Sequence, residues 1–499
     1  MQTDKLKNSL ILSIIALIIM SSVPLWIAFQ YPAFLNDDSY ITLTYAKNIA
    51  NGQGFVFNHP PATQGTTTPL FTLLVGGAAN ILSFASLPTL AVFVTAFCWI
   101  GIIWIIFLFR QAWDISAYQA VAIGFVMIAS GFVSFLGMEA YLFSFLLVMS
   151  LSLFQNRNYF WAGLGTGFLF LTRGEGVLVL FVLLLCNVIF FWLYKKITQS
   201  EILQSSFHLI LGFSIPVSLW FTYAYFTFGS LLPNTLAAKN AQGQSGIWSS
   251  LLQRLIYEWM PAWGSRFQIT TIPFLNGWWL LIIIGLGVAI FQNRKWLLFL
   301  VWMISYIMGY TILQVAAYWW YQLPILFVLH IFFALGLVKI VEWMMAYITR
   351  PKIGIGLSAC FVVYVLFLLS KPMQNYTNYR GDSRGTSYVA LSDWFNENTQ
   401  PTESIAYIEI GYLGFYTSNR IIDLAGLVTP AITPHISDGD FAWGFWHYTP
   451  DYYVYLPDFD WALAEIHTNP KFDLWYQPIA ELPGPRETDF IIYERVNSN

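Results

Sequence analysis

The chain has 499 residues, of which 57% are hydrophobic, 19% are aromatic and 10% are charged. Its mean hydropathy is +0.60. Because an ordinary soluble domain has about 25% charged residues, this composition excludes a soluble enzyme. Apolar runs of helix length recur from Ile11 to Leu369, and each can cross a hydrocarbon core of about 30 Å. These runs predict a polytopic α-helical membrane domain.

The charges divide the chain into two parts. Residues 1–370 contain 16 Lys and Arg against 9 Asp and Glu, whereas residues 371–499 contain 7 against 17. The contrast predicts a membrane domain over 1–370 and a C-terminal soluble domain over 371–499. Within the first part, residues 30–88 form a first outer loop with interfacial helices.

The first apolar run follows Lys5 and Lys7 and lacks a small-residue cleavage site, so it is predicted to be an uncleaved span. Cytoplasmic loops are enriched in Lys and Arg, which places the N-terminus inside and the C-terminal domain outside. Three later basic pairs fix the alternation: Lys195/Lys196, Arg294/Lys295 and Arg350/Lys352. Eleven spans follow, at 9–29, 89–109, 117–136, 140–155, 159–172, 177–194, 207–227, 277–292, 296–315, 320–345 and 354–370.

Several apolar features have a structural interpretation only. The segment from Thr68 to Ser83 would have both ends outside, so it is predicted to lie in the outer interface or to re-enter. The glycines from Gly163 to Gly167 lie inside an apolar run and are predicted to pack helices. Neither the three cysteines nor the scattered histidines have ligand spacing, so no metal site and no cofactor are predicted, although a requirement for a divalent metal stays open.

Four of the nine acids in the membrane domain fall on its outer side, namely Asp37, Asp38, Glu139 and Glu175. Asp37 or Asp38 can cap a helix that runs from about Ser39 to Ala50. A cap needs only one oxygen, and the positive helix end favours an ionised carboxylate. A fixed, ionised carboxylate is what a general base for a sugar hydroxyl requires.

The first outer loop resembles that of C-type (GT-C) polyprenyl-phosphate-sugar glycosyltransferases, and is most similar to the mycobacterial terminal β-(1→2) arabinofuranosyltransferases. The motifs that carry the resemblance there are Asn36-Asp37-Asp38-Ser39-Tyr40, Tyr45-Ala46-Lys47-Asn48, Gly52-Gln53-Gly54 and Gly65-Thr66-Thr67-Thr68-Pro69-Leu70. Further matches follow in order: Gly137-Met138-Glu139, Leu171 to Gly176, Leu231 to Thr235 with Ala238-Lys239, Glu409 to Tyr416 and Ile422 to Leu427.

The resemblance implies a GT-C fold and an inverting transfer of a sugar on the outer face of the membrane. It implies Asp37 as the base, with Asp38 as its neighbour or substitute. The remaining site residues lie in the matched segments and would bind substrate: Glu139 and Glu175 around the sugar, Arg173 and Lys239 on the phosphate, and Asn234, Tyr318 and Trp319 nearby. Arg254 and Arg266 are better explained as headgroup anchors.

Two departures from the family pattern stand out. Gly174 occupies a position where proline is common, and no Arg or Lys precedes the aromatic segment from Tyr318 to Pro324. Another residue would therefore have to contact the phosphate there. Trp319, Trp320 and Tyr321 could stack on a sugar, but an aromatic belt at the membrane interface explains them at least as well.

The tail predicts a small α/β domain, with strand-like runs at Ser404–Glu409, Arg420–Leu424 and Asp489–Glu494 and a helical piece at Ser387–Asn396. Its acidic surface and its aromatic residues suit a polysaccharide acceptor, although a merely solvated acidic surface is the alternative. Those aromatic residues are Trp443, Trp446, Tyr452 and Tyr453.

Together these observations predict a transferase in a bacterial inner (plasma) membrane, with its active site and C-terminal domain facing the periplasm or exterior. The expected partners are a polyprenyl-phosphate sugar donor, a glycan or glycolipid acceptor of the cell envelope, and membrane lipid, with no nucleic acid. Arabinofuranose is the sugar that the resemblance indicates, and mannose or 4-amino-arabinose are alternatives. The rival from another class is a lipid or solute transporter or flippase, which would place ionisable groups near the midplane.

Overall fold

The computed structural model describes residues 2–31, 34–58, 62–130, 132–194, 198–266, 277–347 and 351–496. Lys195, Lys196 and Arg350, which were used to orient the chain, lie outside these ranges, as does the side chain of Arg266.

The membrane part is a bundle of apolar helices. Six helical stretches have the length and hydropathy to cross a bilayer: Ser9–Gln30, Leu87–Leu108, Gln199–Phe228, Arg294–Leu313, Trp319–Ala346 and Lys352–Asn378. Shorter apolar helices are Pro69–Ile81, Ala117–Ala129, Ala140–Gln155, Tyr159–Thr172, Val177–Tyr194 and Gly277–Phe291. Each of the eleven predicted spans therefore coincides with a helix, while the number of crossings and their orientation stay predictions.

One predicted boundary is wrong. The span expected over 117–136 ends as a helix at Ala129, and the chain then makes a short 3₁₀ turn at Val133–Phe135. This break precedes Gly137, which has a φ of +82°, a value that glycine adopts readily. The turn directs the chain towards Glu139 at the head of the next helix.

The prediction that glycines pack helices is confirmed at Gly163. A Cβ atom there would lie 2.1 Å from the carbonyl oxygen of Leu209 on helix Gln199–Phe228. Only a residue without a side chain permits this approach of two backbones.

Smaller helices complete the first domain. They are Asp37–Ala50, Asn234–Gln244, Leu251–Arg254 and Met260–Arg266, with a π-helical turn at Leu255–Trp259 between the last two. Helix Pro69–Ile81 packs against Asp37–Ala50 and Leu87–Leu108.

The tail is a five-stranded mixed sheet with helices around it. The strands are β1 (Ser404–Tyr407), β2 (Arg420–Asp423), β3 (Tyr452–Tyr455), β4 (Tyr476–Leu482) and β5 (Phe490–Arg495), in the order β2-β1-β3-β5-β4. β1 pairs in parallel with β2 and β3, whereas β5 is antiparallel to β3 and β4. The helices are Asn375–Asn378, Gly385–Asn398, Gly411–Tyr416, Thr433–Ser437, Ala442–Tyr448, Asp460–Thr468 and Phe472–Trp475.

The three predicted strand runs and the predicted helical piece are confirmed. The proposed aromatic glycan surface is wrong for Tyr452 and Tyr453, which form β3 in the middle of the sheet and are 5% and 0% exposed. Trp443 has His435 stacked on one side and His447 nearby in the same parallel arrangement, with centroid distances of 3.9 and 4.3 Å. Tyr452 and Tyr453 therefore belong to the core of the sheet domain, whereas Trp443 and Trp446 are half-buried.

The sheet domain binds the first outer loop through hydrogen bonds that each involve at least one backbone atom. Asp382 N–H donates to Phe34 O at 3.0 Å, and the Tyr412 hydroxyl donates to Leu35 O at 2.6 Å. Further along the loop, Lys47 Nζ donates to Phe415 O at 2.6 Å. The loop and the sheet domain are therefore held together by hydrogen bonds.

Candidate functional site

Three consecutive residues at the start of helix Asp37–Ala50 could each cap it: Asn36, Asp37 and Asp38. Asn36 is the cap, because its side chain accepts a hydrogen bond from Asp38 N–H at 3.1 Å and its backbone is extended. The prediction that Asp37 or Asp38 serves as the cap is therefore wrong. Both carboxylates are free for other interactions, at the positive end of the 14-residue helix Asp37–Ala50.

Asp37 is bound to the sheet domain. Its Oδ2 accepts from Gly411 N–H at 3.1 Å and its Oδ1 accepts from Tyr412 N–H at 3.0 Å, and the residue is 5% exposed. Burial, with the nearby carboxylates of Glu409 and Asp38, raises the pKa of Asp37, while the bond from Tyr412 lowers it. Both Asp37 oxygens thus hold the sheet domain against the first loop.

Asp38 has different surroundings. It is half-buried, no described residue donates a hydrogen bond to its carboxylate, and it lines a pocket of about 40 Å³ together with Glu139 and Lys239. Burial raises the pKa of Asp38 to about 6, opposed by the Lys239 ammonium and reinforced by Glu409. An accessible carboxylate that titrates near neutral pH is suited to accept a proton.

A larger cavity of about 250 Å³ adjoins this pocket. Glu139, Lys239 and Trp320 line both. Most of the cavity wall is apolar, and its members include Phe170, Leu171, Leu178, Phe221, Leu236 and Leu313. Its charged members are Glu139, Arg173, Glu175 and Lys239. An apolar cavity with a cluster of charged side chains in its lining is suited to bind an amphiphile with an anionic head.

Arg173 is the buried cation of the cavity, at 3% exposure. Its Nε lies 2.6 Å from Glu175 Oε1, its Nη1 lies 3.6 Å from Glu139 Oε1, and its Nη2 donates to the Tyr310 hydroxyl at 3.2 Å. Nη1 has no hydrogen-bond partner among the described residues. Because a buried N–H group without a partner is costly, Nη1 is placed to donate to an anion in the cavity.

Lys239 projects from helix Asn234–Gln244 over the aromatic segment. Its Nζ lies 5.1 to 5.6 Å from the ring centroids of Tyr318, Trp320 and Tyr321, and it donates to the Tyr321 hydroxyl at 3.2 Å. No described acid forms an ion pair with it. Lys239 therefore brings to this segment the positive charge that its own sequence lacks.

Asn234 lies at the start of the same helix and faces the sheet domain. Its side-chain amide donates to Gly426 O at 2.7 Å and to Leu427 O at 2.9 Å. About two helical turns later, Gln242 accepts a hydrogen bond from the Tyr318 hydroxyl and its amide donates to Ala425 O. The expected binding residues Asn234 and Tyr318 thus position the Lys239 helix against the tail.

Asp423, at the end of β2, organises the other side of this contact. It is fully buried, and its carboxylate accepts from Ala425 N–H at 2.8 Å and from Val428 N–H at 2.9 Å. The loop carbonyls that meet Asn234 and Gln242 are held in place by this turn.

Of the three aromatic residues that could stack on a sugar, Trp319 packs on Phe135 with a centroid distance of 4.9 Å, whereas Trp320 and Tyr321 line the cavity. Three cavity residues were not predicted from the sequence: Gln64, Thr235 and Tyr310. The matched segment Leu231 to Thr235 was the available signal for Thr235. Within the described ranges, no group of three or more His, Cys, Asp and Glu side chains is arranged to hold a metal ion.

The fold is shared with known membrane proteins. Undecaprenyl-phosphate-bound ArnT from Cupriavidus metallidurans superposes with a TM-score of 0.59 at 14% identity, over 96% of this chain and 98% of that one. Its apo state gives 0.60 at 13% identity, over 95% and 97%. The archaeal oligosaccharyltransferase AglB from Archaeoglobus fulgidus, in complex with an inhibitory peptide and a dolichol-phosphate, gives 0.57 at 12% identity, over 89% and 69%.

These likenesses confirm the expected overall architecture, a multi-pass helical membrane domain followed by a sheet domain. Residues 374–493 also match a family model described as "Domain of unknown function (DUF8728)". No curated protein matches the sequence. The arabinofuranosyltransferase subfamily rests on the motifs alone.

Proposed function

We propose that this protein is a membrane glycosyltransferase that moves a sugar from a polyprenyl phosphate to a glycan or glycolipid acceptor. The observation that carries the proposal is the apolar cavity that contains Arg173 and Lys239 and adjoins the accessible carboxylate of Asp38. It has support from two proteins of the same fold, which were captured with undecaprenyl phosphate and with a dolichol-phosphate.

The cavity suits such a donor in three respects. Its apolar wall would bind the first isoprene units, whose burial is favourable. Lys239 and Arg173 Nη1, which has no hydrogen-bond partner among the described residues, would bind the phosphate with charge-assisted hydrogen bonds. Glu139 and Glu175, which flank Arg173, would orient that guanidinium and bound the space for the sugar.

The reaction would be a single displacement with inversion. The acceptor oxygen forms a bond to the anomeric carbon as the bond from that carbon to the phosphate oxygen breaks, and the acceptor proton passes to a carboxylate. Lipid phosphate leaves as an anion, which the two cations stabilise. We assign the role of the base that accepts this proton to Asp38, because both oxygens of Asp37 already accept hydrogen bonds from the sheet domain. Asp37, the base indicated by the resemblance, then acts as the positioning residue.

The identity of the sugar rests on the motifs. Arabinofuranose is the proposed sugar, with mannose and 4-amino-arabinose as the alternatives within the same fold. The proposed location is the bacterial inner membrane, with the cavity and the sheet domain on the outer face and a cell-envelope glycan or glycolipid as acceptor.

A direct test uses the purified protein in lipid vesicles with a panel of polyprenyl-phosphate sugars and a short glycan acceptor. Sugar transfer is followed by mass spectrometry, with and without a chelator. We expect transfer from one donor class, at least a hundredfold less transfer in Asp38→Asn, and normal transfer in Asp473→Asn, a matched change at an exposed aspartate of the sheet domain. Both variants should fold and insert normally.

Two results would contradict the proposal. Normal transfer in Asp38→Asn, with loss in Asp37→Asn, would move the base to Asp37. No transfer from any donor, together with movement of a lipid or solute across the vesicle membrane, would favour the transporter.

A further inference from the structure

The pocket beside Asp38 is lined by an unusual concentration of hydroxyl groups. Its threonines are Thr42, Thr66, Thr67, Thr68 and Thr235. Three of these satisfy one another, since Thr66 Oγ1 lies 2.9 Å from Thr68 Oγ1, and Thr42 Oγ1 lies 3.5 and 3.4 Å from the two. These contacts close one wall of the pocket.

Thr235 differs from Thr42, Thr66 and Thr68, which contact one another. It is 4% exposed, and its Oγ1 has no hydrogen-bond partner among the described residues. A threonine inside a helix commonly donates to the carbonyl four residues earlier, but helix Asn234–Gln244 begins only one residue before Thr235. A buried hydroxyl without a partner disfavours the folded state, so its presence in the pocket wall points to a ligand that satisfies it.

The position of the pocket indicates which ligand this is. It shares Glu139, Lys239 and Trp320 with the larger cavity, so a group attached to a phosphate held by Lys239 would extend into it. Its volume of about 40 Å³ exceeds the roughly 15 Å³ that one water needs, yet it is too small for a complete sugar ring. It fits the hydroxyl-bearing edge of a ring.

We propose that Thr235 is a specificity-determining residue whose hydroxyl binds one ring hydroxyl of the donor sugar beside Asp38. The inference rests on the proposed function and deepens it, because it makes the substrate a hydroxylated sugar and selects against the analogue that lacks this hydroxyl. A site built to bind a hydroxyl discriminates strongly against its absence, since its own polar group is then left unpaired.

The test compares Thr235→Val, which replaces the hydroxyl with a methyl of similar volume, with Thr235→Ser, which keeps the hydroxyl. Thr166→Val is the control, because Thr166 is fully buried and donates to Gly163 O at 2.7 Å, away from both pockets. Each variant is assayed for kcat/KM with the active donor and with its singly deoxygenated analogues, and for thermal stability without donor.

We expect Thr235→Val to lower kcat/KM about tenfold with the full donor, the loss of one hydrogen bond, and to leave it unchanged with one deoxygenated donor. Its melting temperature should stay equal or rise, because no protein hydrogen bond is lost. Thr235→Ser should retain most of the activity, and Thr166→Val should keep its kcat/KM.

Equal activity of Thr235→Val and wild type on every donor would overturn this inference alone. A uniform loss on all donors with a lower melting temperature would show a structural role instead. Sensitivity confined to deoxygenated acceptors would overturn the assignment to the donor. An inactive wild-type protein would overturn the proposed function, and this inference with it.

Discussion

Gly411 lies in direct contact with Asp37: its N–H donates to Asp37 Oδ2 at 3.1 Å, and a Cβ atom at position 411 would lie 1.9 Å from the Asp37 carbonyl oxygen. The two residues are 374 positions apart. The close approach requires glycine, and it fixes the sheet domain at the start of the helix that carries Asp38.

Gly411→Ala should therefore separate the sheet domain from the first loop without affecting the helical bundle. We expect roughly a hundredfold loss of transferase activity, the typical effect of a displacement of about 1 Å in an active site. Gly356→Ala is the control, since a Cβ atom there would have open space around it. Sugar transfer and circular dichroism measure the two effects, and full activity in Gly411→Ala would show that the contact is dispensable.

The pH dependence of the reaction should report Asp38. The base must be deprotonated to accept a proton, and burial raises the pKa of Asp38 to about 6. We expect kcat/KM to be constant above about pH 7 and to fall close to tenfold per unit well below pH 6. Lys239→Gln removes the charge that opposes this shift, so the midpoint should move to higher pH. A flat profile between pH 5 and pH 8 would exclude this carboxylate as the base.

The general composition of the site was predictable from the sequence, because charged residues are rare in the bundle. Isolated charges in a membrane domain have few roles, and Asp38, Glu139, Arg173 and Lys239 do meet at two adjoining pockets. The choice between Asp37 and Asp38 was not predictable. Asn36, Asp37 and Asp38 can each cap a helix, and their roles depend on Gly411, which is distant in sequence.

Long-range packing also explains the other differences. The missing basic residue of the aromatic segment is supplied by Lys239, which is 82 residues from Tyr321. The aromatic residues of β3 resembled a surface patch because aromatic residues suit both sheets and sugars. Their burial follows from the place of β3 in the centre of the sheet, which local sequence does not specify.

Lys239 should determine affinity for the lipid phosphate. Lys239→Gln removes the only cavity cation among the described residues that has no ion-pair partner, and a hydrogen bond to a charged group contributes about 1.5 to 3 kcal/mol. We expect polyprenyl phosphate to bind about tenfold to a hundredfold more weakly, as measured by tryptophan fluorescence in nanodiscs. Arg254→Gln, which removes an arginine paired with Glu258, should have little effect. Equal affinities for both variants and the wild type would remove Lys239 from the phosphate site.

The Arg173–Glu175 pair should be strongly coupled. Both side chains are mostly buried and Nε lies 2.6 Å from Oε1, so removing one partner leaves an uncompensated charge that costs about 3 to 5 kcal/mol. The double-mutant cycle uses Arg173→Met and Glu175→Gln. The double variant should lose far less stability than the sum of the losses in the two single variants. The exposed pair Arg254–Glu258, at 3.2 Å, serves as the matched control and should couple by less than about 1 kcal/mol. Additive effects at Arg173 and Glu175 would contradict the ion pair.

Asp423 should control the position of the Lys239 helix through the turn that it holds in the sheet domain. Its carboxylate accepts from Ala425 N–H and Val428 N–H, and Asp423→Asn would direct an amide N–H₂ at one of these donors. We expect a loss of about 1 to 3 kcal/mol in stability and faster hydrogen exchange in helix Asn234–Gln244, because the carbonyls that hold Asn234 and Gln242 would shift. Asp438→Asn, an exposed change in the same domain, is the control. If exchange in the helix is unchanged while the sheet domain loses stability, the loop at Asp423 does not position Lys239, and the contacts from Tyr321 and the aromatic rings alone keep that cation at the cavity.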